Sequence, residues 1–235
     1  MNIALIIAGG KGSRTGQEIP KQYLTVNDKP VIVYTLENIQ KIQEIDSIVV
    51  VASQGWEDFV LSYAKQFSIT KLETIIFGGQ TRHQSIFNGL KYIFEKYSDD
   101  DVVAIADAVR PLVPQRVFVD SVTTVKEKGC FTIPVDRCPD SMFSSFAGKD
   151  IEGMVNRDTL FKGQTPECGK VSELKEIYCY AQANNIDNIA PTELSFKCGK
   201  RIEMIKGSAM SFKITTKEDI EILKAILGNK STSLI

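Results

Sequence analysis

The 235-residue chain is 43% hydrophobic and 24% charged with a formal net charge of −1, the balance of an ordinary soluble globular protein. That charge offers no general attraction to nucleic acid, and no apolar run approaches membrane-spanning length. Its five cysteines (Cys130, Cys138, Cys168, Cys179 and Cys198) are odd in number and form no C-x-x-C pair, which points to reduced thiols in a cytoplasmic protein rather than a disulfide frame or zinc site.

Asn2–Ala8 reads as a buried parallel strand without the charged region of a signal peptide, and it runs into Gly9-Gly10-Lys11-Gly12-Ser13-Arg14. Pro20-Lys21-Gln22-Tyr23 follows. A glycine-rich turn after a strand presents backbone N–H groups to an anion, and Arg14 and Lys21 add a planar fork and a compact charge suited to phosphate. The alternative is an ordinary tight turn; the two cations favour phosphate. Neither the P-loop spacing nor the dinucleotide G-x-G-x-x-G fits, because Gly10, Gly12 and Gly16 are one residue too widely set.

Ser47–Ala52 is a second buried strand, residues 56–67 a helix, and Leu72–Phe77 a third strand closed by Gly78-Gly79. Thr81 caps the next helix, whose His83, the chain's only histidine, is expected at a solvated helix start. A fourth strand at 102–106 ends in Asp107, a helix spans 114–128, and 131–135 is a fifth strand. This alternation predicts an α/β fold with a doubly wound, mostly parallel sheet, whose ligand crevice lies at the carboxyl ends of the strands. Between about residues 138 and 163 the rhythm breaks into an arm with an apolar face (Met142, Phe143, Phe146, Ile151 and Met154). That face packs on a second subunit or folds over its own domain. A helix near 171–184, strands near 201–206 and 211–215, a helix at 216–227 and a frayed tail from Gly228 complete a single domain over 1–235.

The strand ends collect Gly9 to Arg14, Lys21, Gly79-Gln80 with Arg82 and Ser85, Asp107 to Pro111, and a late Lys213. One carboxylate among phosphate-directed cations suits Mg²⁺ bridging a nucleotide's phosphates; alone, Asp107 could equally cap a turn.

These residues carry a resemblance. Ala8-Gly9-Gly10-x-Gly12-x-Arg14, Pro20-Lys21-Gln22-Tyr23, Asp107-Ala108-Val109-Arg110-Pro111, Gln164-Thr165-Pro166 and Lys213-Ile214-Thr215 are similar to motifs of the cytidylyltransferases of phosphorylated polyols. One branch makes CDP-methylerythritol and the other CDP-ribitol and related CDP-alditols for wall and capsule polymers. The resemblance covers Asn2 to about Leu227 and implies a Rossmann-like nucleotidyltransferase sheet with a protruding β-arm, CTP and a phosphorylated polyol as substrates, Mg²⁺, and a homodimer formed through the arm. It implies that Arg14, Lys21 and Lys213 are catalytic and that Asp107 holds the metal. Ala8, Gly9, Gly10, Gly12, Gly79, Gln80, Ser85, Asp107 and Ala108 lie along the nucleotide, and Arg110, Arg157 and Thr165 along the acceptor.

Where the family usually has His before the metal-binding Asp, this chain has Ala106, and Thr15 replaces the usual Met. A late Thr-Asp-Glu element becomes Ile189-Ala190-Pro191, unless a one-residue slip makes Pro191-Thr192-Glu193 its counterpart. Phe161 to Pro166 resembles the alditol branch. The expected acceptor is therefore ribitol 5-phosphate or a glycerol phosphate, including glycerol 2-phosphate, with 2-C-methyl-D-erythritol 4-phosphate as the alternative. A non-catalytic nucleotide-binding module is the alternative of another class. A Rossmann dehydrogenase is set aside, because Ala52-Ser53-Gln54 supplies no ribose-binding acid.

Overall fold

The computed structural model describes residues 1–10 and 19–232, so Gly12 and Arg14 lie outside the described residues. Strand β1 (Asn2–Ala8) is followed by the short pair β2 (Thr25–Val26) and β3 (Lys29–Pro30), then α1 (Val31–Gln40), β4 (Ser47–Ala52), α2 (Glu57–Gln66) and β5 (Leu72–Phe77). Next come α3 (Arg82–Lys96), β6 (Val102–Asp107), α4 (Gln115–Lys128) and β7 (Phe131–Arg137). The excursion holds β8 (Met142–Ser144) and β9 (Gly153–Val155), and the chain returns through β10 (Phe161–Gly163) and β11 (Glu167–Lys170). Helices α5 (Val171–Ala183) and α6 (Pro191–Lys197), strand β12 (Ile202–Lys206) and helix α7 (Lys217–Thr232) complete it.

Among the described residues, eight strands form one sheet in the order β10-β7-β11-β6-β1-β4-β5, with β12 parallel to β7. β1 is parallel to both its neighbours, β4 and β6, and all seven of its residues are buried. A strand covered on both faces reads as a continuous apolar run, which is why its limits were legible. Ile3, Leu5 and Ile7 pack toward α3 and α5, while Ala4, Ile6 and Ala8 pack toward α1, α2 and α4. Register sets the working edge. Ile7 pairs with Asp107, Ala8 with Ala52, and Ala52 with Phe77, so four strands release Gly9, Ser53, Gly78 and Ala108 side by side.

Helix α1 and strand β11 lie outside the sequence expectations, and the strand at 211–215, the tail from Gly228 and the solvated His83 need correction. Helix α1 lies in a β-branched stretch (Val31-Ile32-Val33) whose packing, not propensity, makes it helical. β11 is an antiparallel strand inserted between β6 and β7; its short Glu-Cys-Gly-Lys sequence carries no periodic signal. No strand forms at residues 211–215. A 3₁₀ turn (Ala209–Ser211) leads into an extended segment, anchored where the Ile214 N–H donates to the Val109 carbonyl at 2.9 Å. Helix α7 continues past Gly228 to Thr232, since one internal glycine costs a helix only about 1 kcal/mol. His83 is in the first turn of α3 but buried. Its ring stacks on Tyr178 at 4.9 Å, and its Nδ1 lies 3.3 Å from the Ile189 carbonyl. In the excursion β8 and β9 pair as an antiparallel hairpin with Phe146 and Met154 exposed.

Candidate active site

The end of β1 is clamped from below. The Ala8 carbonyl accepts from Gln22 Nε2 at 2.6 Å, the Tyr23 hydroxyl at 3.2 Å and the Ser53 hydroxyl at 3.2 Å, while Gln22 also donates to the Gly10 carbonyl at 2.8 Å. Tyr23 stacks on Trp56 with ring centroids 4.2 Å apart, and burial raises its phenol above the ordinary range. In the 3₁₀ turn Lys21–Tyr23, Gln22 and Tyr23 therefore face the core and hold the turn, while Lys21 lines the cleft. That division of labour explains why these residue types stand together.

The facing rim is built on close backbone approach. A Cβ on Gly79 would sit 2.4 Å from Gln84 Cβ, and one on Gly9 would sit 3.0 Å from Ser85 Oγ. The Gly79 N–H donates to Ser85 Oγ at 3.0 Å, and that hydroxyl donates to the Thr81 carbonyl at 2.9 Å. Thr81 caps α3 by accepting from the Gln84 N–H at 3.1 Å. Between the rims lies a cleft of about 330 Å³ lined by Ala8, Gly9, Gly10, Lys21, Gly79, Gln80 and Ser85, with Arg82, Asp107 and Lys213 also in its lining.

Those last three residues also line a second cleft of about 560 Å³, with Arg110, Gln164, Thr165, Glu167, Ala190, Thr192, Glu193 and Phe196. The common wall is charged. Asp107, 5% exposed, receives Arg82 Nε on Oδ1 at 3.3 Å, and on Oδ2 Arg110 Nε at 3.2 Å and Lys213 Nζ at 3.0 Å. Burial alone would raise its carboxyl, but Arg82, Lys213 and Arg110 hold it well below the usual carboxylate range. Arg82 also donates from Nη2 to Glu167 Oε1 at 3.1 Å; its burial would lower its pKa, but Asp107 and Glu167 more than compensate. Lys213 is held by packing behind it, where Ile214 joins Ile220 and Leu223 of α7 against Val26 and Val31.

Most of the expected residues converge here. Ala8, Gly9, Gly10, Lys21, Gly79, Gln80, Ser85, Asp107 and Lys213 meet in the first cleft, and Arg110 and Thr165 meet in the second. Ala108 lines neither; its methyl is in the core and its carbonyl accepts from the Thr35 hydroxyl at 2.9 Å. Arg157 lies in the exposed arm, donating to the Pro139 carbonyl at 2.8 Å, outside both clefts of its own chain. The late element places Ala190, Thr192 and Glu193 together in the second cleft, so both readings of it fall on the site. Glu167 carries no sequence signal: it opens β11, which has no periodic pattern, and its partners Arg82 and Thr192 lie far away in sequence. Gln164, part of the Gln164-Thr165-Pro166 motif, bridges through its amide to Ser208 in both directions, at 2.8 and 3.1 Å, which tethers the loop before Lys213.

Among the described residues no group of three His, Cys, Asp or Glu is placed to hold a metal. Asp107 can offer a single ionised carboxylate in the wall of a cation-rich cleft. That donor set fits Mg²⁺ shared with bound phosphates, since Mg²⁺ commonly takes one or two protein carboxylates and completes its shell from phosphate and water.

A family model described as IspD, 2-C-methyl-D-erythritol 4-phosphate cytidylyltransferase, matches residues 2–229. A ribitol-5-phosphate cytidylyltransferase of Lacticaseibacillus paracasei is 34% identical over 98% of this chain and 99% of its own. One from Streptococcus agalactiae is 33% identical over 100% of this chain and 99% of its own, and one from Vibrio parahaemolyticus is 34% identical over 98% and 97%. The 4-diphosphocytidyl-2C-methyl-D-erythritol synthase of Anaerococcus prevotii superposes with a TM-score of 0.82 over 97% of this chain and 96% of its own, at 22% identity. The Francisella tularensis 2-C-methyl-D-erythritol 4-phosphate cytidylyltransferase superposes at 0.78 over 96% and 99%, at 25% identity.

Proposed function

The chain belongs to the 2-C-methyl-D-erythritol 4-phosphate cytidylyltransferase (IspD) family, and we propose that it is a CTP-dependent cytidylyltransferase whose acceptor is ribitol 5-phosphate. The observation that carries this is the wall common to two clefts, where Arg82, Arg110 and Lys213 converge on buried Asp107. A nucleoside triphosphate and a phosphorylated acceptor placed in the two clefts meet across that wall. The choice of ribitol 5-phosphate rests on the full-length relatives of that name.

An acceptor phosphate oxygen forms a bond to the α-phosphorus of CTP as the bond to the β-phosphate bridging oxygen breaks, and pyrophosphate leaves. A phosphomonoester has a second pKa of about 6 and is mostly dianionic near neutrality, so no general base is required. This agrees with a site whose ionisable groups, among the described residues, are four cations (Lys21, Arg82, Arg110 and Lys213) and three carboxylates (Asp107, Glu167 and Glu193), with His83 buried away from both clefts. The work of the protein is alignment of two anions and neutralisation of charge as it spreads over the phosphates. Lys21 serves the triphosphate and Lys213 with Arg110 the acceptor phosphate, while Arg82 spans both. Arg14 is assigned to the triphosphate by its motif. Mg²⁺ held between Asp107 and the phosphates would supply further neutralisation.

The exposed apolar arm, with Phe146 at 102%, Met154 at 82% and Ile151 at 66%, is assigned to a second copy of the chain, carrying Arg157 toward that copy's acceptor cleft.

Pyrophosphate release from CTP and Mg²⁺ tests the reading with ribitol 5-phosphate, glycerol 2- and 3-phosphate and 2-C-methyl-D-erythritol 4-phosphate as acceptors. Turnover selective for ribitol 5-phosphate supports it. Selectivity for methylerythritol phosphate, which the family model favours, moves the chain to the other branch. CTP binding with no turnover on any acceptor makes it a binding module.

A further inference from the structure

Glu167 is a buried carboxylate that the proposed reaction does not call upon, and its surroundings give it a task. It is 4% exposed and opens β11 between β6 and β7. Oε2 accepts from both the Thr192 N–H at 2.9 Å and the Thr192 hydroxyl at 2.6 Å, which ties β11 to the start of α6. Oε1 accepts from Arg82 Nη2 at 3.1 Å, and Arg82 Nε in turn reaches Asp107 Oδ1 at 3.3 Å. Arg82 is thus gripped at two of its nitrogens by two carboxylates on neighbouring strands. A guanidinium so held keeps one plane, whereas one held at a single point can swing.

We infer that Glu167 is a positioning residue: anchored on Thr192 of the acceptor cleft, it fixes the plane of Arg82 in the wall that the nucleotide and acceptor share. The inference rests on the function proposed above and goes beyond it, since it links the two clefts through one chain of contacts, Thr192–Glu167–Arg82–Asp107. It also sets an electrostatic balance. Three cations face two carboxylates, so neutralising Glu167 raises local positive charge and should not weaken triphosphate binding. Only the alignment is lost, and small misplacements in a positioned reaction are costly.

The test compares wild type with Glu167→Gln, which keeps the shape but puts an NH2 donor in place of one accepting oxygen, so that either Arg82 or Thr192 loses its acceptor, and with Thr192→Val, which removes the hydroxyl but keeps the N–H. Steady-state kinetics are read with CTP binding by calorimetry, and Arg82→Lys is combined with Glu167→Gln in a double-mutant cycle. Glu167→Gln is expected to lower kcat about ten- to a hundredfold with the Kd for CTP unchanged or lower, and Thr192→Val to act in the same sense but less. In the Arg82→Lys background Glu167→Gln should cost little more, because both changes disable one unit. Unchanged kcat in Glu167→Gln, or losses that multiply independently of Arg82, would overturn the inference while leaving the function standing. A CTP Kd raised in parallel with the loss of kcat would equally overturn it. A wild type that neither binds CTP nor turns over would overturn the function, and this inference with it.

Discussion

Asp107 occupies a place where an isolated carboxylate would be expected to take up a proton, yet the cations around it keep it ionised. The sign of its linkage follows. Because its folded pKa is depressed, its contribution to stability is complete above the ordinary carboxylate range and is lost as pH falls through and below that range. Asp107→Asn should leave three cations facing a neutral amide. Removing one partner of a buried pair costs about 3–5 kcal/mol, and the partial exposure of Arg82 and Lys213 (31% and 36%) argues for the lower end. Urea unfolding should show that loss at neutral pH and a smaller one in acid, while turnover falls at least a hundredfold (an electrostatic loss of about 3 kcal/mol). Gly79 makes the contrasting case. In Gly79→Ala the new methyl meets Gln84 Cβ, so the backbone must shift and its N–H bond to Ser85 loosens. With about one hydrogen bond lost at the nucleotide rim, the KM for CTP should rise about tenfold with kcat less affected. An unaltered KM would remove this rim from nucleotide recognition.

Elements here are tied to one another by polar anchors as well as by core. At the sheet edge, Glu73 of β5 accepts from Ser47 of β4 at 2.6 Å and Tyr92 of α3 at 2.5 Å, and also from Lys96 and Tyr97. Partial burial would raise the Glu73 carboxyl, but Lys96, Ser47, Tyr92 and Tyr97 together hold it at about 2 instead of 4.5. Its stabilising contribution is therefore full above pH 4.5 and fades as pH falls toward 2. Glu73→Gln should lower stability at pH 7 and flatten its pH dependence across that window, read from urea midpoints at several pH values. Parallel curves for the variant and wild type would show that the anchor carries no linkage. The same logic applies to the C-terminal segment. Helix α7 lines neither of the two clefts, but its Ile220 and Leu223 pack with Ile214 beside Lys213, so a distant apolar contact sets where a cation stands.

At the scale of the whole molecule, the arm leaves a run of apolar side chains uncovered, from Phe143 at 49% to Phe146 at 102%. Phe146→Asp combined with Met154→Asp should shift the mass in light scattering from dimer toward monomer at micromolar concentration. If Arg157 serves the other copy's site, the KM for the acceptor should rise as the dimer is lost. A wild type that is monomeric at all concentrations would end that assignment. The parallel frame and the nucleotide rim were legible in the sequence because their signals are local. Doubly covered strands are continuous apolar runs, Gly79 meets a close approach within its own turn, and Thr81 caps the helix that follows it. The placement of Glu167 was not legible. Its strand exists only because β6 and β7 leave a gap to fill, and its partners Arg82 and Thr192 stand 85 and 25 positions away. The burial of His83 against Tyr178, and the delivery of Lys213 without a strand, also depend on contacts between remote segments. Periodicity and turn chemistry act over neighbouring residues, so the sequence alone determined the ends of the parallel strands and the glycines and charged residues collected there. Which of those side chains share one wall was decided by strand order and helix packing, which no local pattern encodes.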